Sequence, residues 1–255
     1  MGKATDFSKH KNMPMTGKQP NIWFSSTISK LPNLMFKNNG LVVELSLHNA
    51  RIINNEIKKD NRYDRKLMSN LFKLFGGKHN RQSIMYDREM IMYLILMVDL
   101  ENSTNVDRFQ EPKIIKKMAS YICNKRIRFW DKLRDRDITI VGKLSRANKS
   151  QSLLSLASKV CQTFSIIFYN RDNYYKYDRV VRHVLPYYLN FYGIKLGPDD
   201  PKTKTDFDNI TYDTYSRLLD ELRKTADPKL SRKDMDRIMW YSYRYQSQKE
   251  NEENE

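Results

Sequence analysis

Between Lys149 and Arg171 the chain carries a single charge, Lys159, in the stretch SLASKVCQTF, although charged residues make up 30% of its 255 positions. Nineteen residues after Lys159 stands Asp178, in YDRVVRH. An amine held in apolar surroundings is driven toward its neutral, nucleophilic form, and a carboxylate stabilises positive charge that develops in a transition state. Together they suit attack on an electrophilic carbon whose reaction passes through a cation. Each also has a plainer reading. A lysine at a helix seam can run its stem along apolar neighbours and keep its head in water, and an aspartate before an apolar-periodic segment can cap a helix.

The elements that would position them are helical. From Gln151 to Phe168 the residues Leu153, Leu154, Ala157, Val160, Cys161, Phe164, Ile167 and Phe168 fall on one stripe at helical spacing, with Lys159 pointing away from it. Ser152, Ser155, Ser158, Gln162 and Thr163 share the side of the lysine. They are small or uncharged, which predicts close approach to a neighbouring helix or to a ligand. After a turn at Asn170 to Asn173, Asp178 has the type and place to cap a helix running to Pro186. Earlier, LVVELSL (41–47) reads as a short strand or a buried first turn, DRKLMSNLFKLFGG as an amphipathic helix stopped by Gly76 and Gly77, and REMIMYLILMVDL as a central buried helix. Following Pro112, Ile114, Ile115, Met118, Tyr121, Ile122, Phe129 and Leu133 recur at helical spacing, and DITIVGKL reads as an extended connector. YDTYSRLLDELRK (212–224) is an amphipathic helix, and Asp199, Asp200 and Asp206 fall in a polar loop.

From roughly Arg146 to Leu185 the sequence resembles the helix-hairpin-helix DNA glycosylases that act as glycosylase and lyase. In that family a lysine heading one helix is followed nineteen residues later by an aspartate opening the next, in a context like VDxHVxR. A second segment, SRKDMDRIMWYSYR, is similar to the closing helix of 8-oxoguanine glycosylases, notably the archaeal type. There an Asp and a Trp four residues apart help enclose the extruded base, and Asp236 and Trp240 have that spacing. Where the family's hairpin reads GVGxK, Ser155 and Ala157 occupy the glycine positions, and an iron-sulfur cysteine cluster is not present.

The resemblance implies a mainly α, two-lobed fold, with the N-terminal helices and the closing helix in one lobe and the central helices in the other. Lys159 would be the nucleophile at C1′ and Asp178 the stabiliser of the sugar cation, with Asp236 and Trp240 at the flipped base. Duplex DNA would be held by Lys143, Arg146, Lys149, Ser155, Ser158, Arg179 and Arg182. The implied activity is excision of a modified base, in repair or in defence against modified foreign DNA, with lyase activity left open. Neither the base nor the setting is named by the sequence.

Charge agrees with a polyanionic partner. The net formal charge is +16, and from Arg108 to Lys149 there are thirteen basic and four acidic residues, with no acid between Lys113 and Arg128. The competing class is a basic helical module that binds nucleic acid without chemistry, in which Lys159 is one more phosphate contact. Eight glycines with no Walker loop and no GxGxxG argue against nucleotide hydrolysis and dinucleotide chemistry. His10, His48, His79 and His183 are scattered and the two cysteines, Cys123 and Cys161, lie in apolar surroundings, so neither a metal site nor a cofactor is expected. Without a signal-like or membrane-length apolar run, the expected setting is a cytoplasmic monomer. Residues 1–22 read as a loose basic arm, 23–245 as the helical domain with a central lobe at about 108–195, and 246–255 as a solvated acidic tail. The tyrosines at 169, 174, 175, 177, 187, 188 and 192 read as core packing.

Overall fold

A computed structural model describes residues 35–37, 42–59, 82–101, 113–147 and 153–252. The expected basic arm and the helix expected over DRKLMSNLFKLFGG lie outside the described residues. The chain is mainly α-helical. Among the described residues two short strands, Phe36–Lys37 (β1) and Val42–Val43 (β2), pair antiparallel with Phe36 opposite Val43. LVVELSL thus divides between β2 and the first residue of helix α1, Leu47–Lys59. Then come α2 (Arg88–Glu101), α3 (Lys113–Cys123), a 3-10 turn (Lys125–Ile127), α4 (Phe129–Arg134), α5 (Thr139–Ser145) and α6 (Leu154–Tyr169). They are followed by α7 (Arg179–Phe191), α8 (Lys204–Asp208), α9 (Tyr212–Ala226) and α10 (Arg232–Glu252). The last helix reaches into the segment expected as a solvated tail. Among the described residues no helix is long and apolar enough to cross a membrane.

The chain divides into two compact units, Arg62–Tyr177 (the central unit) and Met1–Asn61 with Asp178–Glu255 (the terminal unit). These bounds differ from the expected central lobe at about 108–195. Helix α2 joins the central unit because it packs on α3 and α6, and α7 joins the terminal unit because it packs on α10.

In the central unit α6 is the axis, packed by α2, α4 and α5. Trp130 stacks on Phe164 at 5.7 Å between ring centroids and meets Phe168 edge-on at 4.6 Å. The Trp130 indole N–H donates to the Met85 carbonyl at 2.7 Å, so this large ring is buried with its polar atom satisfied. Helix α2 is less enclosed than its apolar sequence suggests: Ile91, Leu94, Ile95, Met97 and Val98 are buried, but Tyr93 is half exposed. The apolar period running from Ile114 to Leu133 is interrupted. Asn124 caps the 3-10 turn through the Arg126 amide, and Arg128 adopts a left-handed conformation (φ 54°) that ends one helical direction and starts α4.

The connector DITIVGKL is helical, not extended. Asp137 accepts from the Thr139 amide at 3.0 Å and its hydroxyl at 2.6 Å, which starts the turn, and Ile140, Val141 and Leu144 are all buried. Burial of one face overrides the strand preference of these β-branched residues.

In the terminal unit α10 packs on α1, α7 and β2, and α7 also meets α8 and α9. Tyr188 on α7 donates to the Val43 carbonyl at 2.8 Å, Ser242 on α10 accepts from the Val43 amide at 3.3 Å, and Tyr192 accepts from the Leu45 amide at 3.0 Å. These bonds satisfy the short ladder from inside the unit. Helix α7 runs past Pro186 to Phe191, beyond its expected end. Proline removes one amide donor from a helix, and burial of Val184, Leu185, Tyr188 and Leu189 holds the helix through it.

Candidate functional site

Lys159 is the sixth residue of α6 and is 4% exposed. Sequence spacing puts it off the apolar stripe, yet Ser158, Gln162, Thr163 and Ser165 are buried with it, so α6 is enclosed on both sides. The uncharged residues around the lysine therefore reflect close approach, as expected. Ser158, expected at DNA, has an internal role instead. It is fully buried; its hydroxyl donates to the Ser155 carbonyl at 2.9 Å and accepts from the Tyr177 amide at 2.8 Å. Ser155 is half-buried one turn earlier.

The connection after α6 is irregular but tied down within the central unit. Asn170 turns the chain at φ 54°, a conformation asparagine tolerates. Ser165 donates to the Arg171 carbonyl at 2.7 Å, and Arg136 donates to the Asn173 carbonyl at 3.2 Å. Tyr174, Tyr175 and Tyr177 are buried, consistent with tyrosines used for packing. Burial pushes the Tyr174 phenol well up, and it donates to the Lys132 carbonyl at 3.3 Å.

Asp178 opens the terminal unit's long segment as the N-cap of α7. Its backbone is extended (φ −104°, ψ 139°) and its carboxylate accepts from the Val180 amide at 2.8 Å, one of the amides a helix start leaves without an internal partner. The capping role is thus observed. Arg179 is exposed, whereas Arg182 is half-buried and donates through Nη1 to the Asp208 carbonyl. A DNA contact by Arg182 would have to share that guanidinium.

Asp236 and Trp240 lie one turn apart on α10, both half-buried. One residue that spacing did not reveal is Tyr215 on α9. It is fully buried, which drives its phenol well above the usual tyrosine range. The carboxylates of Asp236 and Asp178 both add to that rise, and Arg182 opposes it. Both carboxylates therefore act on the same phenol within the terminal unit. The only sequence signal for Tyr215 was its place on the apolar face of YDTYSRLLDELRK.

Lys143 and Arg146, at the end of α5, are exposed, and Lys149 lies outside the described residues. The other acids resolve into structure. Asp200 accepts from the Gly197 amide at 2.7 Å and pairs with Arg217, and Asp206 closes a capping box with Thr203. Among the described residues no group of three or more His, Cys, Asp or Glu is placed to hold a metal ion.

Comparison of the chain with protein-family models, curated proteins and solved structures returned no match. The chemistry therefore has to be argued from the residues themselves. Among the described residues, Lys159 offers a buried amine on α6 of the central unit and Asp178 a carboxylate at the head of α7 of the terminal unit. In addition, a basic pocket in the central unit is lined by Arg88, Lys113, Lys116 and Lys117. None of these was among the expected DNA contacts, although KIIKK in the acid-free run from Lys113 to Arg128 carried the signal.

Proposed function

We propose that this chain is a DNA glycosylase/lyase with a two-lobed fold of the helix-hairpin-helix kind, excising a modified base from DNA through the Lys159 amine with the help of Asp178. The observation that supports it is a paired step along the chain. Lys159 and Asp178 are nineteen residues apart, and so are Ser158 and Tyr177, the residues just before them, which are joined by a hydrogen bond of 2.8 Å. That bond anchors, within the central unit, the residues that directly precede the amine and the carboxylate in the chain, which supports reading the nineteen-residue step as more than chance spacing.

The chemistry runs as follows. The extruded nucleotide presents C1′; the base departs with the electrons of the N-glycosidic bond as positive charge grows on the sugar, and the carboxylate stabilises that charge. The amine must first lose its proton, which can follow the departing base. Its lone pair then forms the new bond to C1′, and opening of the sugar ring leaves a Schiff base that water can hydrolyse. Asp236 and Trp240 would meet the extruded base, and exposed Lys143 and Arg146 would meet phosphates. Which base is excised, and whether in repair or in defence against foreign DNA, is a matter of pocket selectivity for the same pair.

The test is borohydride reduction of the Schiff base to a stable amine. The wild type should be trapped covalently on DNA bearing an abasic or susceptible site, and Lys159→Gln should not be, with melting curves showing both folded. Trapping of the variant at the wild-type level would exclude Lys159 as the amine. A folded wild type that binds DNA but traps on no such substrate would leave the non-catalytic binding module.

A further inference from the structure

The central unit also carries a shallow basic site whose lining residues are not those assigned to base excision. It is a pocket of about 510 Å³ lined by Arg88, Lys113, Lys116, Lys117, Ser120, Tyr121 and Asn124, among others, and none of its lining residues is acidic. Helix α3 builds one wall. Lys113, Lys116, Lys117 and Ser120 are exposed along one face, while Ile114, Ile115, Met118, Ala119 and Ile122 are buried on the other. At 1.5 Å per residue that row spans about 10 Å. A strand of duplex DNA carries a phosphate every ~3.4 Å of axis, so the row is long enough for two or three phosphates, where a single small anion would fill only one end. Asp87, next to Arg88 in the chain, caps α2 by accepting from the Glu89 and Met90 amides at 3.0 and 3.1 Å.

One feature favours an unpaired strand over a duplex backbone. The site is shallow and open, and an exposed aromatic ring lies close to its lining in the chain. Tyr86, two residues before Arg88, is 46% exposed, and the Lys125 ammonium lies 5.3 Å from its ring centroid, next to Asn124. Cations tracking a backbone beside an exposed aromatic face are what single-stranded nucleic acid requires of a protein.

We propose that this pocket seats an unpaired nucleic-acid strand, with its phosphates on Arg88, Lys113, Lys116 and Lys117 and a base stacked on Tyr86. The inference rests on the nucleic-acid partner of the proposed function and not on its reaction. In the excision of a base it would hold single-stranded flanks of the target.

The experiment is a fluorescence titration of a labelled oligothymidylate, and of a duplex of the same length, into wild type, Lys116→Glu/Lys117→Glu and Tyr86→Ala. All three positions are exposed, and thermal melts confirm that the variants are folded. The charge-reversed variant should lose at least tenfold in single-strand affinity and show a flatter salt dependence. Tyr86→Ala should lose roughly fivefold or more for the single strand and little for the duplex. Single-strand affinity unchanged in both variants would overturn the proposal. So would equal losses for strand and duplex with Tyr86→Ala neutral, since that marks a duplex backbone track. Borohydride trapping tests the amine chemistry and the oligothymidylate titration tests this pocket, so failure of the excision chemistry and failure of this site give different results.

Discussion

The Ser158 hydroxyl accepts the Tyr177 amide at 2.8 Å across nineteen residues, both ends buried within the central unit. One residue further along, at each end, stand Lys159 and Asp178. The serine hydroxyl also donates to its own helix at the Ser155 carbonyl, so both its donor and an acceptor position are used. A buried amide left without such a partner is costly. This bond therefore ties down the end of the connection that leaves α6.

Ser158→Ala removes that acceptor and strands the Tyr177 amide. The expected loss is roughly 1–3 kcal/mol of unfolding free energy, read as a lower denaturant midpoint. Borohydride trapping should fall with it at temperatures where the protein remains folded, because the end of the connection is loosened. A variant within about 0.5 kcal/mol of wild type, the ordinary scatter of neutral substitutions, would mean that other bonds hold the connection.

Asp178→Asn separates capping from catalysis. Asparagine caps a helix about as well as aspartate, so stability should stay near wild type, against a loss of about 1 kcal/mol for Asp178→Ala. Base release in single turnover should slow by orders of magnitude, since the charge facing the sugar cation is gone, while DNA binding holds or tightens. Base release at the wild-type rate would leave Asp178 as a helix cap only.

Neutralising Lys143, Arg146 and Lys149 together should reduce the dependence of duplex affinity on salt, by about 0.9 in the log-log slope for each phosphate contact removed. An unchanged slope would move the duplex to another face of the protein.

The two thiols set an alkaline limit. Burial pushes the Cys123 thiol up to about 11, with Asp87 adding to the rise and Arg88 opposing it, and burial alone pushes Cys161 higher still. Folding thus favours the protonated thiols, a contribution fully present below the unfolded value of about 8.5 and lost as pH rises through the folded value. The melting temperature should fall from about pH 8.5 to 11, and Cys123→Ser should flatten part of that fall. Buried Cys161 should not react readily with a thiol reagent in the folded protein at pH 8, and its fast modification without unfolding would contradict the burial.

The sequence by itself determined the helical class, the place of α6 and α9, the cap at Asp178 and the close approach around Lys159. Each depends on local signals: spacing of apolar residues, a capping side chain, an absence of charge. Tertiary structure decided what those signals leave open. DITIVGKL became α5 because Ile140, Val141 and Leu144 found a common buried face, and α7 passed through Pro186 because its far half is buried. The period from Ile114 to Leu133 broke at Arg128, where a backbone turn that leaves no mark in hydrophobic spacing redirects the chain. Ser158 was legible as small and polar, but its partner nineteen residues away was not, because a hydrogen bond between distant backbone and side chain has no sequence period. Tyr215 likewise feels the Asp178 and Asp236 carboxylates only when α7, α9 and α10 assemble in one unit, since three separate helices must meet before their polar groups can act on one another.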